Sequence, residues 1–115
     1  MVLIVARALY SVYNFDAVLT VCQDALMIDD RCSEAHLLKG RALRKTGEDT
    51  LALTEFERAI QEDANNSEAC FEKGILLKEQ DRFSEAITSL TQAVSLDGSN
   101  PDYLYHQGLC DKLEQ

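Results

Sequence analysis

The sequence repeats itself every 34 residues. At that displacement Gly40 falls on Gly74 and Gly108, with Ala6 one step earlier, and Ala25, Ala59 and Ala93 coincide. Further columns hold Leu9, Leu43 and Leu77; Val18, Ala52 and Ala86; Cys22, Phe56 and Leu90; Leu26, Ile60 and Val94; and Asp29, Asp63 and Asp97. A chain that repeats one pattern of small and large side chains must pack each unit on the next in the same way. A fixed period in this range is the signature of a solenoid.

Within a unit, apolar residues recur at helical spacing in two runs, as in Leu37, Leu38, Ala42, Leu43 and then Leu51, Ala52, Leu53, Phe56, Ala59, Ile60, parted by Thr46-Gly47-Glu48. Each unit therefore reads as a helix pair. Ser33 and Ser67 stand before acidic first turns and suit N-caps, and Pro101 suits a first helical turn. Asp63-Ala64-Asn65-Asn66 and Asp97-Gly98-Ser99-Asn100 supply turns between units. The expected helices cover 1-12, 15-28, 33-46, 49-62, 67-80, 83-96 and 101-113. The small column at Ala6, Gly40, Gly74 and Gly108 lets paired helices approach closely, and the Ala25, Ala59, Ala93 column gives the next unit's helix a shallow groove into which the large column Cys22, Phe56, Leu90 is expected to pack.

Composition narrows the function. With 46% hydrophobic and 27% charged residues the chain can bury a core, and one proline with five glycines permits a mostly helical fold. Eleven Lys and Arg against twenty Asp and Glu leave a net charge of -9, which repels phosphate backbones and anionic lipid, so neither nucleic acid nor membrane is expected as a partner. The apolar opening Met1-Val2-Leu3-Ile4-Val5-Ala6 is broken by Arg7, well short of the ~20 residues that cross a bilayer, and reads as a packed helix. The four cysteines form no Cys-x-x-Cys pair, so reduced thiols in a cytoplasmic or nuclear setting are expected. Cys22, Cys70 and Cys110 fall in packing columns, and Cys32 falls in a turn as the thiol most open to reaction. His36 and His106 lie two repeats apart without Cys, His or Asp partners at ligand spacing, so no metal, cofactor or catalytic dyad is expected, and His36 reads as a packing residue.

The period, with Gly40, Leu43, Gly47, Ala52, Phe56, Ala59 in one unit and Gly74, Leu77, Phe83, Ala86, Leu90, Ala93 in the next, resembles the tetratricopeptide repeat family. The resemblance implies an all-α solenoid of antiparallel helix pairs, about seven helices in a right-handed superhelix, forming a single repeat domain over 1-115. Its parts are a partial unit at 1-32, units at 33-66 and 67-100, and a terminal helix at 101-115. The chain looks like a piece of a longer repeat protein whose apolar N-terminal helix packs on a preceding element or on a second copy. Departures are Ala64 and Gly98 where the family often has proline, Asp111 in the leucine column, and Val2, His36, Cys70 and Leu104 in the usual aromatic column.

In that family the first helix of each unit lines a concave groove. The resemblance thereby implies a peptide-binding surface made of Arg7, Leu37, Leu38, Arg41, Arg44, Lys45, Phe71, Ile75, Lys78, Tyr105, His106, Leu109 and Lys112. Arg44, Lys78 and Lys112 are spaced by 34 and would stack as a ladder of cations between apolar side chains, a mixture suited to an acidic-hydrophobic segment. The carboxylate clamp of the co-chaperone members is missing, since Leu3, Arg7, Leu38, Asp102 and His106 hold its places, and Ile4, Leu38, Glu72 and His106 replace the asparagine ladder of another branch. The expected function is a non-enzymatic scaffold that binds a protein or peptide; the alternative is a regulatory or oligomerising segment of a larger enzyme.

Overall fold

Two turn designs alternate along the chain and decide where its helices stop. In the computed structural model, which describes residues 14–114, the helices are α1 (Phe15–Ile28), α2 (Ser33–Lys45), α3 (Asp49–Glu62), α4 (Ser67–Glu79), α5 (Phe83–Leu96) and α6 (Pro101–Glu114). Six of the seven expected helices thus lie among the described residues, within a residue of their expected ends. The seventh, 1-12, lies outside them.

The first design follows α1, α3 and α5. Asp29, Asp63 and Asp97 leave the helix in extended or near-extended conformation while their amides still donate to the carbonyls of Ala25, Ala59 and Ala93, at 3.0, 3.0 and 2.9 Å. The second follows α2 and α4. Glu48 donates to the Leu43 carbonyl at 2.8 Å across Gly47, whose φ is 90°, and Arg82 donates to Leu77 at 2.9 Å across Asp81, whose φ is 61°. This six-to-one bond over a left-handed residue is a Schellman closure, and it satisfies carbonyls that the helix end would otherwise leave unpaired.

The helix starts correct one expectation. Ser33 and Ser67 lie inside the first turns of α2 and α4 rather than before them. Asn66, one residue earlier, caps α4 through its side-chain oxygen on the Ala69 amide (3.1 Å), as Asn14 caps α1 on Ala17 (3.3 Å), whereas Cys32 before α2 makes no side-chain cap. Freed from capping, the Ser33 hydroxyl donates to the Ala59 carbonyl at 2.7 Å, so this oxygen accepts from Ser33 and from the Asp63 amide together.

The described chain divides at Asp63 into two compact units. In the first, α2 packs against both α1 and α3; in the second, α5 packs against both α4 and α6. Short connections make these neighbours antiparallel. The large column fills the space that the glycines leave. A β-carbon on Gly40 would meet Phe56 Cε1 at 2.5 Å, and one on Gly74 would meet Leu90 Cγ at 2.7 Å. Phe56 and Leu90 therefore seat on the glycine of their own helix partner rather than in the alanine column. Around α1 a core of Val18, Cys22, Leu38 and Ala42 is completed by Phe15, Leu19 and Val21.

Candidate functional site

The thirteen residues expected to face a ligand separate into distinct environments. Leu37, Leu38 and Ile75 are buried, at 2%, 1% and 7% exposure, and serve the core. On α2, Arg41 and Arg44 are half-buried and Lys45 is exposed. Arg7 lies outside the described residues.

The second unit brings most of its expected residues together. Phe71 on α4 stacks tilted on Tyr103 of α6 with ring centroids 4.7 Å apart, and meets His106 edge-on at 5.4 Å. Tyr105 also meets His106, with centroids 5.2 Å apart and the rings nearly perpendicular. Such pairs hold ring orientations as well as burying area. Lys78 reaches across from α4, and its Nζ lies 3.1 Å from His106 Nδ1. An ammonium can only donate, so Nδ1 accepts and the ring proton sits on Nε2. Burial holds the His106 pKa below its ordinary value of 6.5, the Lys78 charge lowers it further, and Asp102 opposes both. The result is a neutral imidazole beside a cation and in contact with two aromatic rings. Leu109 is half-buried on the same helix, while Tyr105 and Lys112 are exposed.

The first unit holds a polar site that sequence reasoning did not find. His36 is 4% exposed and Glu55 7%. His36 Nδ1 lies 2.6 Å from Glu55 Oε2, and its Nε2 lies 2.9 Å from the Asp30 carbonyl. A carbonyl only accepts, so Nε2 carries a proton; the bond to Glu55 then uses a second proton from the imidazole or one from the carboxyl. Lys39 closes the network at 3.3 Å from Glu55 Oε1. This cluster floors a depression of about 730 Å³ rimmed by Met27, Arg31, Arg58 and Glu62. His36 is thus a buried hydrogen-bonding hub as well as a packing residue. The available signal was the column Val21, Glu55, Ser89, adjacent in sequence to the large packing column; Glu55 and Ser89 are both buried.

The thiols at packing positions are withdrawn from chemistry. Cys22, Cys70 and Cys110 are fully buried, and burial raises the pKa of each, that of Cys22 to about 11. Cys32 is half-buried, and all four are free. Among the described residues no three His, Cys, Asp or Glu side chains are grouped so as to hold a metal ion, and no helix is long and apolar enough to cross a membrane.

Paired helices, a glycine that receives a large side chain in each pair, and alternating turns at a 34-residue period define a helical repeat module. The chain belongs to the tetratricopeptide repeat family, whose models match residues 16–67 and 67–100. Repeats of this family usually serve protein–protein interaction and usually carry no catalytic machinery. No curated protein matches in sequence. Among solved structures the chain is similar to MamA, with a TM-score of 0.89 and 16% identity over 98% of this chain and 62% of that one, so it spans less than two thirds of that relative. It is also similar to the first TPR domain of human RPAP3, with a TM-score of 0.91 and 10% identity over 97% and 88%. A third is the Yersinia enterocolitica type III secretion chaperone SycD in complex with a peptide of the translocator YopD, with a TM-score of 0.81 and 18% identity over 97% and 86%. At these identities the likeness is one of fold.

Proposed function

We propose that this chain is a protein-interaction scaffold that holds a peptide segment combining acidic and apolar side chains. The observation that carries the reading is the grouping of Phe71, Lys78, Tyr105 and His106, in which the lysine ammonium bonds a neutral imidazole that in turn meets two aromatic rings. A carboxylate accepts from Lys78 Nζ and from His106 Nε2–H, while a neighbouring apolar side chain covers Phe71 or Tyr105. Arg41, Arg44 and Lys45 give the first unit a cationic helix end of its own. SycD, a structural relative, takes a peptide ligand, which favours the same mode here.

The test is selection of peptides from a displayed random library on immobilised chain 1–115. Selected sequences should be enriched in Asp or Glu beside Leu or Phe, bind more weakly as salt rises, and lose affinity on Lys78→Glu and on Arg41→Glu with Arg44→Glu. Selected peptides without acidic enrichment, or indifferent to these reversals, would overturn the proposal.

A further inference from the structure

The two ring nitrogens of His106 are used differently. Nδ1 accepts from the Lys78 ammonium at 3.1 Å, so the ring proton stands on Nε2. The nitrogens look out from opposite edges of the ring. An ammonium seated on Nδ1 and a carboxylate seated on Nε2–H are therefore held apart by the imidazole itself. A single carboxylate can accept from both donors only if one of them moves. The ring is fixed by its edge-on contact with Phe71, 5.4 Å between centroids, whereas the lysine head rides on a flexible four-carbon stem. Lys78 is the partner that swings, and Nδ1 is left without its donor.

We propose that a peptide carboxylate bound at Lys78 and His106 brings a proton with it, taken from solvent onto Nδ1, so that the site holds acidic segments more tightly as pH falls. The coupling rests on the carboxylate contact proposed above. Three effects drive it. On a half-buried ring, an acceptor nitrogen stripped of its donor is costly, and a proton turns it into a donor that water can solvate. The lysine charge, which helps to hold the His106 pKa down in the ligand-free chain, is neutralised by the incoming carboxylate. The same carboxylate adds an attraction of the kind that Asp102 already exerts on the ring.

Burial is then the one depressing influence that remains. Lys78 of α4 and Asp102 of α6 are the charges that act on this imidazole, and α5, the other helix packed on α6, adds none. The bound pKa thus lies above the ligand-free one. The added affinity is complete below the ligand-free pKa and fades as pH rises through the bound one. Peptide carboxylates, with an ordinary pKa of about 4, stay ionised down to about pH 5.5, so the window is set by the imidazole.

The test uses chain 1–115 and the tightest acidic peptide from the displayed library, synthesised with both ends blocked. NMR follows the His106 imidazole with and without saturating peptide, and calorimetry at about pH 6.5 in buffers of different ionisation enthalpy reads proton uptake. The midpoint should rise by about one pH unit on saturation, with net uptake of protons, and affinity should increase up to about tenfold from about pH 8 to about pH 5.5 at constant salt. His106→Gln keeps an N–H but cannot titrate, and should bind with the same affinity across that range. An unmoved or lowered midpoint, binding without proton uptake, or a pH dependence that survives His106→Gln overturns the coupling and leaves the carboxylate contact standing. A library that yields no acidic binder, or one indifferent to Lys78→Glu, overturns that contact and the coupling with it.

Discussion

The Phe56 ring occupies the space in which a side chain on Gly40 would have to lie, with Cε1 2.5 Å and Cδ1 2.7 Å from the position of the missing β-carbon. The contact is made between two fully packed helices, and an aromatic ring at 0% exposure has nowhere to retreat. Gly40→Ala should therefore destabilise the chain by about 1–3 kcal/mol through overpacking, partly offset by up to about 1 kcal/mol of better helix propensity. Gly74→Ala should behave alike, since the Ala86 carbonyl stands 3.3 Å away and cannot rotate aside. Gly108→Ala should be neutral or gain up to about 1 kcal/mol. Urea unfolding of the three variants checks the order, and an equal cost at all three positions would refute the socket geometry.

The Schellman turns offer a second comparison, because Gly47 and Asp81 occupy the same place in successive units with φ of 90° and 61°. An L-residue in the left-handed region costs roughly 1–2 kcal/mol, and less for aspartate than for most. Gly47→Ala should lower stability by about that amount, whereas Asp81→Gly should leave it unchanged or raise it by up to about 1 kcal/mol. Thermal melts of both variants decide the matter; a destabilised Asp81→Gly would mean that the carboxylate contributes more than the backbone strain removes.

For the buried pair, Glu55→Leu should cost about 1–3 kcal/mol, since it strips His36 of one partner and Lys39 of its counter-charge. Adding His36→Phe should recover part of the loss, because two apolar groups need no partners. A double-mutant cycle should give a coupling of about 0.5–3 kcal/mol. Strict additivity would show that the 2.6 Å contact carries no energy of its own.

His106 supplies the pH dependence. Its folded pKa lies below 6.5, so the unfolded chain takes up the proton first, and stability is lost as pH falls from 6.5 through the folded value. Lys78→Met removes one of the influences that depress it and should move the imidazole's NMR titration midpoint upward, though burial should keep it below the ordinary value. A midpoint that stays or falls would contradict the bond between Lys78 and His106.

The periodic features were legible because periodicity is a property of sequence. The glycine column, the turn residues and, to within one residue, the limits of the helices from 15 onward follow from the 34-residue displacement. Ser33 and Ser67 were misread as caps because a hydroxyl next to an acidic turn looks alike whether it lies just before a helix or one residue inside it; Asn66 settles the matter only through its bond to Ala69. The interior acid at Glu55 was hidden for a different reason. A lone glutamate on a helix ordinarily faces water, and its partner lies 19 residues away on another helix, beyond any local pattern. Among the expected ligand-facing residues, Phe71, Lys78, Tyr105 and His106 do adjoin one another, whereas the apolar Leu37, Leu38 and Ile75 sit inside, because repeat spacing assigns a helix face without fixing how deep that face is covered.

The doubly bonded carbonyl of Ala59 ties the last turn of α3 to the first turn of α2, segments 26 residues apart in sequence. Helix ends ordinarily fray independently, each amide exchanging its proton on its own schedule. Here unwinding at Asp63 weakens the anchor of Ser33, so hydrogen exchange at the two ends should proceed in concert, and Ser33→Ala should speed it at both.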